Sequence, residues 1–384
     1  MGPLAGLRII EMAGIGPGPM AAMMLSDMGA QVLRIERQTD SGLGIQRPEK
    51  YDLLMRGRKA LALDLKDKAA IEVVLGLVEK SDGLIEGFRP GVMERLGLGP
   101  DVCLSRNPKL VFGRMTGWGQ DGPLSQAAGH DLNYIALTGA LNAIGRKGQL
   151  PAPPLNLLGD FGGGALYLAF GMVCALLEAQ RSGKGQVVDA AIVDGTANLM
   201  TSMYGTYAAG MITPERGGNI LDSGAFFYDV YACADGKLIS IAPIESKFYG
   251  ELLERLGIDP SKMPPQHDRS QWEAARSIFA ETFARKSRDE WCALLEGTDV
   301  CFAPVLSMED APTHPHIRER NVFIEIDGVT QPAPAPRFSR STPERPSPPK
   351  KASNTPLAEA LEGWMTAEEI ESLRSSGLTS SPDA

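Results

Sequence analysis

LRIIEMAGIGPGPMAAMMLSDMGAQVLRIER, residues 7–37, is the stretch on which the fold turns. LRIIEMA is an apolar run that ends at glycines and reads as a buried strand. GIGPGP makes a turn. MAAMMLSDMGA then reads as a helix, with Met20, Met24 and Met28 at i, i+4 spacing along one core-facing stripe. QVLRIER is a second strand. Strand, helix and strand in so short a span describe a βαβ unit, the building block of a parallel sheet.

The same alternation continues outward. ALALDLK (60–66), GLIEGF (83–88) and PKLVFGRMTG (108–117) read as strands, with an amphipathic helix over KAAIEVVLGLVEKS (68–81). GQVVDAAIVDGTANLM (185–200) gives another strand and then a helix. The expected fold class is therefore α/β, with a doubly wound, mostly parallel sheet. Beyond residue 200 the texture changes. Residues 205–225 are rich in Gly and turn formers and read as a connector. FFYDVYACADGKLISIAPI (226–244) reads as a hairpin around Ala-Asp-Gly, and helices follow, so a smaller α+β domain is expected here. QPAPAPRFSRSTPERPSPPKK, from 331, is proline-spaced and reads as an extended arm, with a helix after it near TAEEIESLRSSG.

Composition narrows the function. The chain has 384 residues, 43% of them hydrophobic and 22% charged, which fits a globular protein of two domains. A net charge of −9 argues against nucleic acid as the main partner. The five cysteines form no CxxC pair, and His314 and His316 in THPH lack ligand neighbours and read as a loop. No metal site and a reduced, cytoplasmic setting are expected. MGPLAGLRIIEM lacks a signal-peptide pattern, and GGGALYLAFGMVCALLEAQ (162–180) is interrupted by Gly171 and Glu178, so membrane insertion is not expected. GIGPGP departs from G-x-G-x-x-G at Pro19, which argues against NAD or FAD although Glu36 ends the second strand.

Three segments carry candidate chemistry. GHDLNYIALTG (129–139) holds His130, one of only four histidines, and Asp131 beside it. PLNLLGDFGGGALYLAFG (154–171) places Asp160 before a triple glycine, where it reads locally as a helix N-cap. SIAPIESKFYGELL places Glu245 between a strand and a helix. Read alone, His130 is better taken as a hydrogen-bonded structural residue than as a catalyst.

VLRIER, ALALDLK, EGFRPGVMERLGLGP, GHDLNY, PLNLLGDFGGG, GKGQVVDAAIVDG and APIESKFY change that balance. With these segments the chain resembles the class III CoA-transferase family over nearly its whole length, and within it the α-methylacyl-CoA racemases. The resemblance implies an isomerase that inverts C2 of 2-methylacyl-CoA thioesters in lipid and fatty acid metabolism. His130 and Asp160 would be its acid/base pair. Asp131 would be a supporting acid, and Glu245 would hydrogen-bond the imidazole. It also implies that CoA, as part of the substrate and with no further cofactor, is bound by segments holding Arg37, Leu63, Asp64, Leu65, Lys66, Arg95, Gly129, Leu132, Asn133 and Tyr134. Phe88 would stack on the adenine, with Arg89 a weaker cationic candidate. The implied architecture is a large Rossmann-like domain from 1–200 and 331–384, a linker over 201–225, a small domain over 226–318 and a return linker over 319–330. Two chains would interlock as a homodimer.

The chemistry asks for such a pair independently. Inverting C2 means removing a proton from one face and returning one to the other, through an enolate of the thioester. One base cannot readily serve both faces, whereas an imidazole and a carboxylate can each act as acid or base. Free N–H groups at the start of a helix over Gly162–Gly164 are the expected donors to the enolate oxygen. Two rivals remain open. A true CoA-transferase would use Asp160 as a nucleophile, and a non-catalytic acyl-CoA binding protein would show no proton exchange.

Overall fold

The computed structural model describes residues 1–39, 42 and 44–378. Within these the chain forms two compact units. The first comprises residues 1–138, 155–200 and 321–384, of which 379–384 lie outside the described residues. The second comprises residues 139–154 and 201–320. Residues 139–154 thus group with the second unit rather than with the large domain, and 201–225 are part of that unit rather than a bare linker.

The first unit is built on six parallel strands: β1 (Arg8–Met12), β2 (Gln31–Glu36), β3 (Lys59–Ala62), β4 (Gly83–Glu86), β5 (Val111–Thr116) and β6 (Gln186–Ala191), in the order β3-β2-β1-β4-β5-β6. Neighbouring residues of β1 point into opposite cores. Ile10 packs with Leu33, Leu61, Leu84 and Phe112 on one face, and Ile9 with Val32, Ile85 and Val111 on the other. A parallel sheet covered on both faces is apolar throughout, which is why its strands read as continuous runs. The first face is covered by α2 (Lys68–Val78), α3 (Val92–Leu96) and α4 (Pro100–Arg106), and by Leu357, Leu361, Trp364 and Leu373 from the last segment of the chain. The second is covered by α1 (Pro17–Asp27), whose Met20 and Met24 pack on that core and whose C-cap Met28 is buried, and by a long helix through Leu168 and Met172.

That helix runs from Leu157 to Ser182, and its apolar length of 26 residues would suffice to cross a bilayer. Here Leu168, Ala169, Met172, Ala175 and Leu176 are buried in the sheet core, which accounts for much of that apolarity. Its first part, Leu157–Ala165, is a π-helix, continuing as α7 (Leu166–Ser182). β3 ends at Ala62, four residues before the expected end, because two aspartates turn the chain: the Lys66 N–H donates to Asp64 at 3.0 Å, and the Ala69 N–H donates to Asp67, the N-cap of α2, at 2.8 Å.

The second unit contains the expected hairpin, β7 (Asp229–Ala232) with β8 (Leu238–Ile241), extended by an unanticipated β9 (Phe302–Val305). Phe226, Phe227, Phe279, Phe283 and Trp291 form its core. Residues 201–208, the first part of the expected linker, are helical throughout. His314 and His316 are not in a loop. His314 N-caps the short helix Pro315–Glu319, and its Nε2 lies 2.8 Å from Glu296. The expected return linker and the first two residues of the expected arm form a second hairpin, β10 (Phe323–Ile326) with β11 (Val329–Pro332), and this hairpin belongs to the first unit.

Candidate active site

In an open parallel sheet the ligand crevice lies beyond the carboxyl ends of the strands, where the strand order reverses. Here the reversal falls between β1 and β4. The residues following those ends are the GIGPGP turn after β1, Arg37 after β2, Leu63, Asp64, Leu65 and Lys66 after β3, and Phe88 and Arg89 after β4. Arg37, Asp64, Lys66, Arg89 and Arg95 are exposed and Phe88 and Leu65 are half-buried. Leu63 is fully buried in the core and its N–H is bonded to the Glu36 carbonyl, so it lines no open surface.

The π-helix brings Asp160 to the same rim. A Cβ placed on Gly16, in the turn after β1, would lie 3.2 Å from Asp160 Oδ2. Asn156, one turn earlier, donates to the same oxygen at 3.4 Å. π-helical turns are rare and gather at functional sites. The Phe161 N–H reaches back five residues to the Asn156 carbonyl at 3.3 Å.

His130 and Asp131 begin α5 (Asp131–Leu137). His130 is its exposed N-cap, and its N–H donates to Asn133 Oδ1 at 3.1 Å, which occupies that side chain locally. Asp131 is buried and turned toward the π-helix. Its Oδ1 accepts the Asp160 N–H at 2.6 Å, so it satisfies an orphan donor at that helix start. Gly159 permits this, because a Cβ there would collide with the Asp131 carboxylate. Asp131 Oδ2 is buried and has no hydrogen-bond partner. Tyr134 sits one turn along; its hydroxyl donates to the Gly129 carbonyl and its ring meets Trp118 edge-on at 4.7 Å. Leu132 is exposed beside it.

Burial raises the Asp160 carboxyl above the ordinary aspartate range. The Asn156 bond opposes this, the Asp131 charge adds to it, and His130 opposes it. Burial also raises Asp131, opposed by the main-chain N–H groups of Asp160 and Gly159. A carboxyl held nearer neutrality is suited to giving a proton as well as taking one. The enolate donors expected at Gly162–Gly164 are misplaced. The helix starts at Leu157, so these glycines are interior, and Gly163 and Gly164 are buried against α8 (Ile192–Leu199). Glu245 is exposed at the N-cap of α10 (Ser246–Leu256) in the second unit. Among the described residues no three His, Cys, Asp or Glu side chains converge in a metal-binding group.

Gly16, Asn156 and Gly159 were not anticipated. Asn156 precedes Asp160 by four residues, the one local signal available. The chain is 46% identical to the α-methylacyl-CoA racemase of Mus musculus over 90% of its length and 88% of that protein. It is 42% identical to the Homo sapiens α-methylacyl-CoA racemase over the same shares. The crystal structure of a CaiB/BaiF family protein from Brucella suis shares the fold, with a TM-score of 0.80 at 24% identity over 98% of this chain and 99% of that one. The CoA-transferase family III model matches residues 4–358, and the chain belongs to that family.

Proposed function

We propose that the protein is an α-methylacyl-CoA racemase, inverting C2 of 2-methyl-branched acyl-CoA thioesters. The observation that carries this reading is the half-buried carboxylate of Asp160 beside Gly16 at the sheet's switch point, its own N–H held by Asp131. His130 and Asp160 exchange protons with opposite faces of C2, and the carbanion is held as the thioester enolate. No cofactor beyond the CoA of the substrate takes part. Arg37, Lys66 and Arg95 face the phosphates, and Phe88 the adenine. The stretch Asp64–Lys66 and the turn carrying Gly129, Leu132, Asn133 and Tyr134 complete the CoA site. The protein acts as a cytoplasmic homodimer in lipid metabolism. Support for self-association comes from Leu166, Phe170, Val173 and Leu177, which recur along one exposed stripe of α7. All five cysteines are free.

In heavy water the purified protein should exchange the C2 hydrogen of 2-methylacyl-CoA and interconvert its epimers, with full activity after treatment with a chelator. Transfer of CoA to a free acid acceptor at a matching rate, with an acyl-enzyme trapped by hydroxylamine, would replace this reading with a transferase. Binding of the ester without exchange would make it a carrier. Arg95→Ala should raise KM by roughly ten- to a hundredfold, the about 1.5–3 kcal/mol of one charge-assisted contact. An unchanged KM with a large fall in kcat would remove Arg95 from the binding site.

A further inference from the structure

The turn from β4 to α3 carries Phe88, Arg89 and, just beyond it, Arg95. Both of its ends are held by one side chain. Glu86 closes β4 and is buried. Its Oε2 accepts the Phe88 N–H at 2.7 Å, and its Oε1 accepts the Nε–H of Arg114 at 3.0 Å. Arg114 stands in register with Glu86 on the adjacent strand β5 and is buried too. Its other edge leaves the sheet. Nη1 donates to Glu94 Oε1 at 2.7 Å and Nη2 to Glu94 Oε2 at 3.3 Å, a forked contact with the residue next to Arg95 on α3. Between these ends, Gln126 donates to the Pro90 carbonyl at 3.3 Å.

Burying a carboxylate with a guanidinium adds little stability over apolar packing, because desolvation offsets the attraction. What the pair supplies is geometry. Arg114 can satisfy Glu86 and Glu94 together only when the turn has one shape, and a turn already shaped loses less freedom when it meets a ligand. Lysine at 114 would keep the charge and lose the fork.

We propose that Arg114 is a positioning residue for the nucleotide end of a CoA ester: with Glu86 and Glu94 it clamps the β4–α3 turn so that Phe88, Arg89 and Arg95 form one preset surface for adenine and phosphate. The clamp rests on the reading of the ligand as a CoA ester, and its expected effect falls on binding of the nucleotide rather than on the proton transfers at C2.

The test compares wild type, Arg114→Lys and Glu94→Gln in two measurements. The first is calorimetric binding of free CoA. The second is C2 exchange with a 2-methylacyl-CoA and with the same acyl group on pantetheine, which lacks the nucleotide. Arg114→Lys should weaken CoA binding about tenfold and Glu94→Gln about threefold, with kcat for the CoA ester within about twofold of wild type. The loss in kcat/KM for Arg114→Lys should be at least about fivefold larger on the CoA ester than on the pantetheine ester. Equal losses on both esters, or CoA binding within about twofold of wild type, would overturn the clamp. If Arg114→Lys does not fold, Glu94→Gln, altered at an exposed side chain, decides by the same comparison. A wild-type protein that binds CoA without C2 exchange would refute the racemase and leave the clamp to be decided by calorimetry; one that binds no CoA would refute both.

Discussion

His130→Ala should abolish inversion of both epimers yet still exchange the C2 hydrogen of one of them with retention. Inversion needs a base on each face, whereas exchange with retention needs only the survivor. Asp160→Ala should show the mirror pattern and exchange only the opposite epimer. Each loss of inversion should reach about two to four powers of ten, the range of one acid/base group. The measurement is proton NMR of each resolved epimer in heavy water, with epimer composition followed in parallel. The pairing of variant with epimer is the informative result, because loss of activity alone would follow from any disturbance of the site. His130→Ala racemising within about tenfold of wild type would return the histidine to a structural role.

Gly195→Ala should destabilise the first unit by about 3 kcal/mol, at the upper end of what overpacking costs. A methyl group at this position would overlap the main-chain carbonyl of Gly163, and a Cβ at Gly163 would in turn meet Thr196. The π-helix and α8 therefore cross backbone to backbone. Both colliding groups at Gly195 are main chain, so no rotamer change relieves the overlap. Alanine is intrinsically better than glycine in a helix by roughly 0.8–1.0 kcal/mol, so a net loss isolates the clash. Chemical denaturation gives the loss, and C2 exchange should fall with it, because the displaced helix carries Asp160. A variant as stable as wild type would mean that the two helices are not in close contact.

The sheet was legible because its inner strands bury both faces and need nearly unbroken apolar runs, whereas the edge strand β6 is exposed over its first four residues except for half-buried Val188. The α1 stripe and the β7–β8 hairpin were legible for similar reasons, with helical periodicity in one and Asp-Gly chemistry in the other. Elements without a buried face were not. TSMYGTYA, the helix over 201–208, buries none of its residues and so shows no apolar period. VTQP and FAPV are four-residue strands with a proline in each, half-exposed and hard to tell from loop. At the site, the candidate residue types were visible but not their connections. Asp160 reads as an N-cap from its neighbours. In the fold its own main chain is held by Asp131 from a different helix, a contact across 29 positions that no local pattern encodes. The Glu86–Arg114–Glu94 arrangement was hidden for the same reason, since Arg114 lies in an apolar strand and takes its partners from elsewhere.

Trp364, Leu357, Leu361 and Leu373 share a core with Ile10, Leu33 and Phe112. On the ribosome the strands of the first unit emerge well before these four side chains do. Until then one face of the nascent sheet is an open apolar surface, of the kind that recruits chaperones or aggregates. The second unit, whose core draws on residues 220–302, can condense while the first still waits. A message interrupted near residue 320 would therefore yield a product with one finished body and one sticky, unfinished one, a natural substrate for quality-control proteolysis rather than a partly active enzyme.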